Sequence, residues 1–384
     1  MSFLPRRGAF AAAFLALGLS LPAYAQPAPP PIAARSWLVY DRAAGRVLAS
    51  SEPDLRWEPA SLTKLMTAYI VYEAVRAGKL SLQQVVEAPD DVRRIANDES
   101  RMYLRPGNRV SVETLLHGLL IISANDAAVT LATAVDGSEA AFVAHMNATA
   151  KQLGMTGTHF ENPSGIPGPT HFTTSSDLLK LALAFDRDFP QVYDITRQRR
   201  FTFRDFAGES SNLLMRQDGA IDGLKTGHTK AAGYNMIVSR RGNDRGLISI
   251  VLGTGSKTMR DRSSRELLDY AANAFEVKQA MTAGQELKRV RVYGATADDL
   301  SLGVEENRFV ALPRGENIEL RVTLNDENNF APIPRGTVMG QVEAMNGDTV
   351  VATAPLIALE EADPSAWPFR LYDRIALLLS RYFG

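Results

Sequence analysis

The segment from Leu62 to Ala77 limits the fold more than any other stretch of the chain. Leu62, Leu65, Met66, Tyr69 and Ile70 recur at helical spacing, Gly78 is placed to end the helix, and no charge occurs between Leu65 and Tyr72. A helix that is apolar on every side has to be buried on every side. Other elements must therefore surround it, and 384 residues suffice for such a core and a second domain. One residue conflicts with burial: Lys64 stands in the first turn. A cation at the start of a buried helix needs a reason.

Composition removes several classes of reason. The 42 Lys+Arg residues oppose 43 Asp+Glu, a formal charge of −1, so no basic excess points to nucleic acid as a partner. With no cysteine, disulfides, thiolate metal sites and cysteine nucleophiles are excluded. Five histidines without a His-rich cluster or an H-E-x-x-H pattern give no expectation of a catalytic metal, and no cofactor motif stands out.

The two ends differ in character. Arg6 and Arg7, the mostly apolar run Ala9 to Leu21 and the small-x-small triplet Ala23-Tyr24-Ala25 read as a secretory signal over residues 1–25. The apolar run is shorter than the roughly 20 residues a membrane span needs. Cleavage after Ala25 would leave an extended start at Gln26 to Pro31 and a formal charge of −3, from 40 Lys+Arg against 43 Asp+Glu. At the other end Leu371, Tyr372, Ile375, Leu378, Leu379 and Tyr382 form one helical stripe. Arg370, Asp373, Arg374 and Arg381 forbid a cheap bilayer crossing, while Trp367, Phe369 and the arginines suit a membrane interface. Taken alone, this segment fits a docked terminal helix as well as an interfacial one.

Between the ends, Ser36 to Asp41 and Arg46 to Ser50 read as a hairpin around Gly45. Helices are expected at Leu115 to Ile122, Asp126 to Ala134, Ser138 to Leu153 and Arg262 to Phe275. Strands at Gly233 to Ser239 and Leu247 to Gly253 are joined by a turn at Gly242-Asn243-Asp244. After about residue 277 the pattern becomes short strands: Val290 to Tyr293, Arg308 to Leu312, Ile318 to Leu324, Val338 to Val342 and Thr349 to Ala354. Asn346-Gly347 marks a hairpin between the last two.

Three short patterns carry chemistry. Ser61 and Lys64 lie three residues apart, on one helical face, so the amine can reach the hydroxyl. Serine needs a base to become a nucleophile, and lysine can be that base when burial and nearby positive charge lower its pKa. Ser61 is the only serine with Lys three residues on. Ser123-Ala124-Asn125 is a polar break between apolar runs, able to aim a hydroxyl and an amide into one cleft or simply to cap a helix. The same Ser-x-Asn pattern recurs at Ser210-Ser211-Asn212. Lys225-Thr226-Gly227, followed by His228, offers a cation and a hydroxyl to an anionic group and a glycine for close backbone approach.

S-x-x-K, S-x-N and K-T-G in this order form the motif set of penicillin-binding proteins and class A β-lactamases. Beyond the triplets, Pro59 to Thr67, Leu115 to Leu120, Gly223 to Thr229 and Ala232 to Asn235 resemble D-alanyl-D-alanine carboxypeptidases of the penicillin-binding protein 5 and 6 type. The β-rich stretch, with Ser301 to Val304 and Pro313-Arg314-Gly315, and the amphipathic tail resemble that family too. The resemblance implies an α+β fold: a transpeptidase-like catalytic domain (26–276) with an antiparallel sheet flanked by helices. A small β-rich domain (277–360) and an anchoring amphipathic helix (361–384) would follow.

It also implies roles. Ser61 would be the acylated nucleophile and Lys64 its base, while Ser123 would relay a proton and Asn125 hold the substrate backbone. Lys225 would be the electrostatic partner of Ser123, and Thr226 and Arg260 would bind the substrate's terminal carboxylate. The backbone N–H groups of Ser61 and His228 would form the oxyanion hole, worth roughly 3–4 kcal/mol per donor. Arg262 rivals Arg260. Ala124 departs from the family's usual glycine, and its methyl would matter if the turn needs a positive φ there.

The expected partners are peptidoglycan stem peptides, β-lactams and the periplasmic face of the inner membrane. A β-lactamase would carry E-x-x-x-N between Asp126 and Gly223, but Glu139, Glu161 and Glu209 all lack Asn at i+4. An inactive wall-shape factor is the remaining rival, and three intact motifs argue against it.

Overall fold

A computed structural model describes residues 27–242, 245–325, 329–368 and 370–375. The expected signal, the Asn243-Asp244 part of a turn, Phe369 and the stripe residues Leu378, Leu379 and Tyr382 lie outside them. Among the described residues the first domain is built on an antiparallel sheet. Its order is β2 (Arg46–Ser51), β1 (Ser36–Asp41), β9 (Leu247–Thr254), β8 (Gly233–Arg240) and β7 (Ile221–Thr229). Both faces are covered, because the strands are apolar on both sides. Leu38, Ile237, Ile248, Ile250 and Leu252 enter one core; Trp37, Val39, Met236, Val238 and Val251 enter the other.

The first core is roofed by α1 (Thr63–Arg76), α2 (Val112–Ile121), α3 (Asn125–Asp136), α4 (Glu139–Gln152), α5 (Ser175–Asp188) and α6 (Val192–Thr196). The second is covered by α7 (Lys257–Ala274) through Leu267, Leu268 and Ala271. As its sequence requires, α1 is buried nearly all round, with α2, α3, α4 and α5 packed against it. Ser111, Ser138, Thr174 and Ser256 cap α2, α4, α5 and α7 by accepting from the third residue on. Two short ladders, β3 (Val85–Glu87) with β4 (Arg109–Ser111) and β5 (Arg200–Phe203) with β6 (Phe206–Glu209), lie outside the main sheet.

The second domain has its own sheet in the order β11 (Lys288–Arg291), β12 (Asp299–Gly303), β16 (Thr349–Ala358), β15 (Val338–Asn346) and β14 (Glu319–Leu324). Asn346 pairs with Thr349 across Gly347, whose φ of 55° fits the Asn-Gly hairpin signal. The expected boundary at 276/277 falls inside a strand: β10 (Phe275–Met281) pairs with β13 (Arg308–Pro313) as a ladder between the domains. Ala311 of β13 packs into the α7 core. Arg314 donates to the carbonyls of Ala272 and Asn273 at 2.9 and 2.7 Å, closing the end of α7. Helix α7 starts at Lys257, five residues before the expected Arg262, because Ser256 caps it.

Candidate active site

Ser61 sits in a 3₁₀ turn, Ala60–Leu62, that feeds directly into α1. Ala60 is forced to a φ of 48°, a left-handed conformation that costs about 1–2 kcal/mol for a non-glycine residue. The turn is tied to the sheet. Asn235, fully buried on β8, donates from Nδ2 to Glu58 O at 2.8 Å and accepts at Oδ1 from Gly253 N at 2.8 Å. Trp57 Nε1 donates to Ala232 O at 2.8 Å. Gly227 explains the rest of the fit, since a Cβ there would lie 2.8 Å from Pro59 O and 3.1 Å from Ser61 N. In the fold this glycine admits the protein's own Ser61 turn, and it also lines the cleft where a substrate backbone would lie.

Lys64 is fully buried, its Nζ 3.0 Å from Ser61 Oγ and donating to Ser164 O at 2.5 Å. Burial, then the positive charge of Lys225, holds its pKa well below the ordinary lysine value, against the opposing pull of Glu99 and Asp126. Next to it, Thr63 Oγ1 is 2.9 Å from Nε2 of His171, whose pKa burial pushes down to about 4. This neutral histidine adds no charge near the amine.

Ser123 lies between α2 and α3 with a φ of 65°. Its Oγ is buried and has no hydrogen-bond partner among the described residues. Because Ser123 also lines the cleft, this hydroxyl is free of protein partners that would compete with a substrate group. Ala124, in contrast, has φ −61° and ψ 119° and is fully buried. Its methyl therefore imposes no backbone penalty; the strain falls on the serine. Asn125 opens α3, its backbone N–H donating to Ser100 O at 2.7 Å and its Nδ2 to Glu99 Oε2.

The third motif lies on the edge strand β7. Lys225 Nζ is buried and donates to Thr226 O at 2.8 Å; it makes no hydrogen bond to Ser123 among the described residues. Burial, then the charge of Arg260, brings its pKa down to about 7. Thr226 Oγ1 shares a hydrogen bond with Ser211 Oγ, and Arg260 Nη2 donates to Ser211 O at 3.1 Å. Starting α7 at Lys257 puts Arg260 in its first turn, 2% exposed, whereas Arg262 points outward and pairs with Glu266 at 2.7 Å. Of the two arginines, Arg260 lines the cleft and Arg262 is not among its lining residues.

These groups meet in one cleft of about 540 Å³. Ser61, Ser123, Asn125, Thr226, Gly227, His228 and Arg260 line it, with Lys64 and Lys225 buried behind its wall. Glu99, Ser211, Tyr234 and Lys257 also line it and were not anticipated. Ser211 belongs to the second Ser-x-Asn, which therefore reaches the site as well. Glu139, Glu161 and Glu209 are absent from the lining, and Glu161 instead accepts from Thr170 N at 2.5 Å. No group of three or more His, Cys, Asp or Glu able to hold a metal occurs among the described residues.

A serine nucleophile with a buried, low-pKa lysine beside it suits acyl transfer. Residues 23–256 match the family model described as D-alanyl-D-alanine carboxypeptidase, and residues 275–363 match that of the penicillin-binding protein 5 C-terminal domain. The chain belongs to the D-alanyl-D-alanine carboxypeptidase family. It is a serine peptidase of the penicillin-binding type. It is 34% identical to D-alanyl-D-alanine carboxypeptidase DacC of Escherichia coli K12 over 92% of this chain and 90% of that protein. Identity to DacA of the same organism is 32%, over 93% and 91% of the two chains. Penicillin-binding protein 5 from Haemophilus influenzae superposes with a TM-score of 0.80 at 32% identity, covering 88% of this carboxypeptidase and 99% of that chain.

Proposed function

We propose that this carboxypeptidase is exported and trims the terminal D-alanine from peptidoglycan stem pentapeptides at the periplasmic face of the inner membrane. The observation that carries the chemistry is the 3.0 Å approach of Lys64 Nζ to Ser61 Oγ inside a cleft shared with the other two motifs. Neutral Lys64 takes the Ser61 proton as Oγ attacks the carbonyl carbon of the penultimate D-alanine. The resulting oxyanion lies between the N–H groups of Ser61 and His228, supported by how closely β7 runs beside the Ser61 turn at Gly227. Ser123 passes a proton to the departing amine, Asn125 holds the substrate backbone, and Thr226 with Arg260 receives the terminal carboxylate. Lys225 supplies positive charge beside them. Water then cleaves the acyl-enzyme. A β-lactam carbonyl enters the same path and stops at the acyl stage.

Incubated with a peptide ending in D-Ala-D-Ala, the purified protein is expected to release D-alanine, and Ser61→Ala to release none above background. Unchanged release by the variant would refute the assignment.

The tail supports attachment to a membrane surface. Helical at 367–368 and 370–375, it docks by its polar side: Gly294 N donates to Asp373 Oδ2 at 2.7 Å, and the Arg374 guanidinium lies 5.3 Å from the Phe330 ring centre. Trp367 and Tyr372 stay 75% and 74% exposed, with Leu371 and Ile375 beside them. Among the described residues no single helix is long and apolar enough to cross a bilayer. An interfacial helix needs only its apolar face in the lipid. Deleting 367–384 should move the protein to the soluble fraction with its carboxypeptidase rate unchanged; continued sedimentation with membranes would count against the anchor.

A further inference from the structure

Glu99 belongs to none of the three motifs, yet its side chain enters the cleft. It lies in the loop before β4 and is anchored there by Ala96, whose N–H donates to Glu99 Oε1 at 3.1 Å. The other oxygen, Oε2, accepts from Asn125 Nδ2. The same loop is fixed to the start of α3 by further bonds. Asn125 N donates to Ser100 O at 2.7 Å, and Met102 N and Leu104 N donate to the Asp126 carboxylate at 3.0 and 2.9 Å. Ala124 gives helix α3 no side-chain cap, and Ser100 O in this loop accepts the first backbone N–H of the helix instead.

The chemistry of the pair is one-directional. A carboxylate only accepts hydrogen bonds, whereas an amide has a donor and an acceptor end that a simple flip exchanges. With Glu99 opposite, Asn125 can present only Nδ2 to the loop, which leaves its second N–H and its Oδ1 with fixed directions. A charged acceptor also makes this bond stronger than a neutral one.

We propose that Glu99 is a positioning residue for the carboxypeptidase reaction, locking the Asn125 amide in the one orientation that serves the substrate backbone. This rests on the role assigned to Asn125 above. Glu99 also supplies negative charge towards Lys64. That amine is otherwise faced by Lys225 from β7, Asp126 from α3 and His171 from the loop before α5. Glutamine at 99 keeps the shape but removes both effects: its own amide can pair with either end of Asn125, and its charge is zero.

The test is a double-mutant cycle read as the second-order rate of acylation by a fluorescent penicillin. Glu99→Gln should slow acylation about tenfold in the wild-type background and by less than about twofold beside Asn125→Ala. The acid limb of its pH–rate profile should also move to lower pH, because losing the carboxylate lowers the pKa of Lys64 further. Glu99→Asp should leave the limb in place. Equal losses in both backgrounds, or a limb that does not move in Glu99→Gln, would overturn the proposal. An Asn125→Ala protein as fast as wild type would instead refute the role of Asn125 itself, so the two failures are distinguishable.

Discussion

Lys64→Met should reduce acylation by about three orders of magnitude while the protein melts no lower than wild type. The loss follows from removing the base, since a positioned proton acceptor contributes typically 10²–10⁴-fold. The retained stability follows from the sign of the pKa shift. Lys64 has a folded-state pKa depressed mainly by burial, so below the ordinary lysine pKa the unfolded chain binds the extra proton and the native state does not. At neutral pH the lysine therefore destabilises the fold, and an apolar side chain of similar length relieves that penalty. In the wild type, acylation should persist above the Lys64 pKa and fall as pH drops through it. Any residual acylation in the variant should lack that acid limb. Rates against pH and a melting curve check both parts; a large fall in melting temperature would mean that the amine is a structural anchor first.

The second large effect concerns backbone. Gly165 has a φ of +89°, and a Cβ there would fall 1.9 Å from Ala60 O, within the turn that carries Ser61. Gly165→Ala should displace that turn, lowering acylation at least a hundredfold and destabilising the domain by about 3 kcal/mol. Gly154→Ala is the control: its φ is +73° but nothing lies within 4 Å of the added methyl. It should cost only about 1 kcal/mol and leave acylation alone. Denaturant titration with penicillin labelling separates the two, and equal behaviour of both variants would contradict the steric account.

These effects divide what the chain shows locally from what only the fold brings together. The three motifs were legible because each is contiguous, and α1 because an uncharged helix announces its burial. The β15–β16 hairpin was legible because Asn-Gly marks its turn. Helix α5 falls in a stretch to which the sequence reading assigns no element, although its Thr174 cap and leucines are ordinary signals. Strand β10 follows α7 without an intervening turn residue, so nothing local marks where helix becomes strand or where the domains divide. Glu99 reaches Asn125 across 26 positions from an irregular loop, and no periodicity encodes such a contact. Ser211 carried a visible pattern, but only its pairing with Thr226 gives that pattern meaning.

The Ala124 question shows the limit of motif reading. The family's usual glycine suggests a need for positive φ, but that need falls one residue earlier, on Ser123. Site roles thus rest on backbone angles that a motif does not display.

Every step of the proposed reaction passes through an acyl group carried on Ser61. Intact-protein mass after brief exposure to benzylpenicillin, followed by peptide mapping, tests it directly. One added penicilloyl group is expected on the peptide containing Ser61, and none in Ser61→Ala. A label on the peptide containing Ser123, or full labelling of Ser61→Ala, would contradict it.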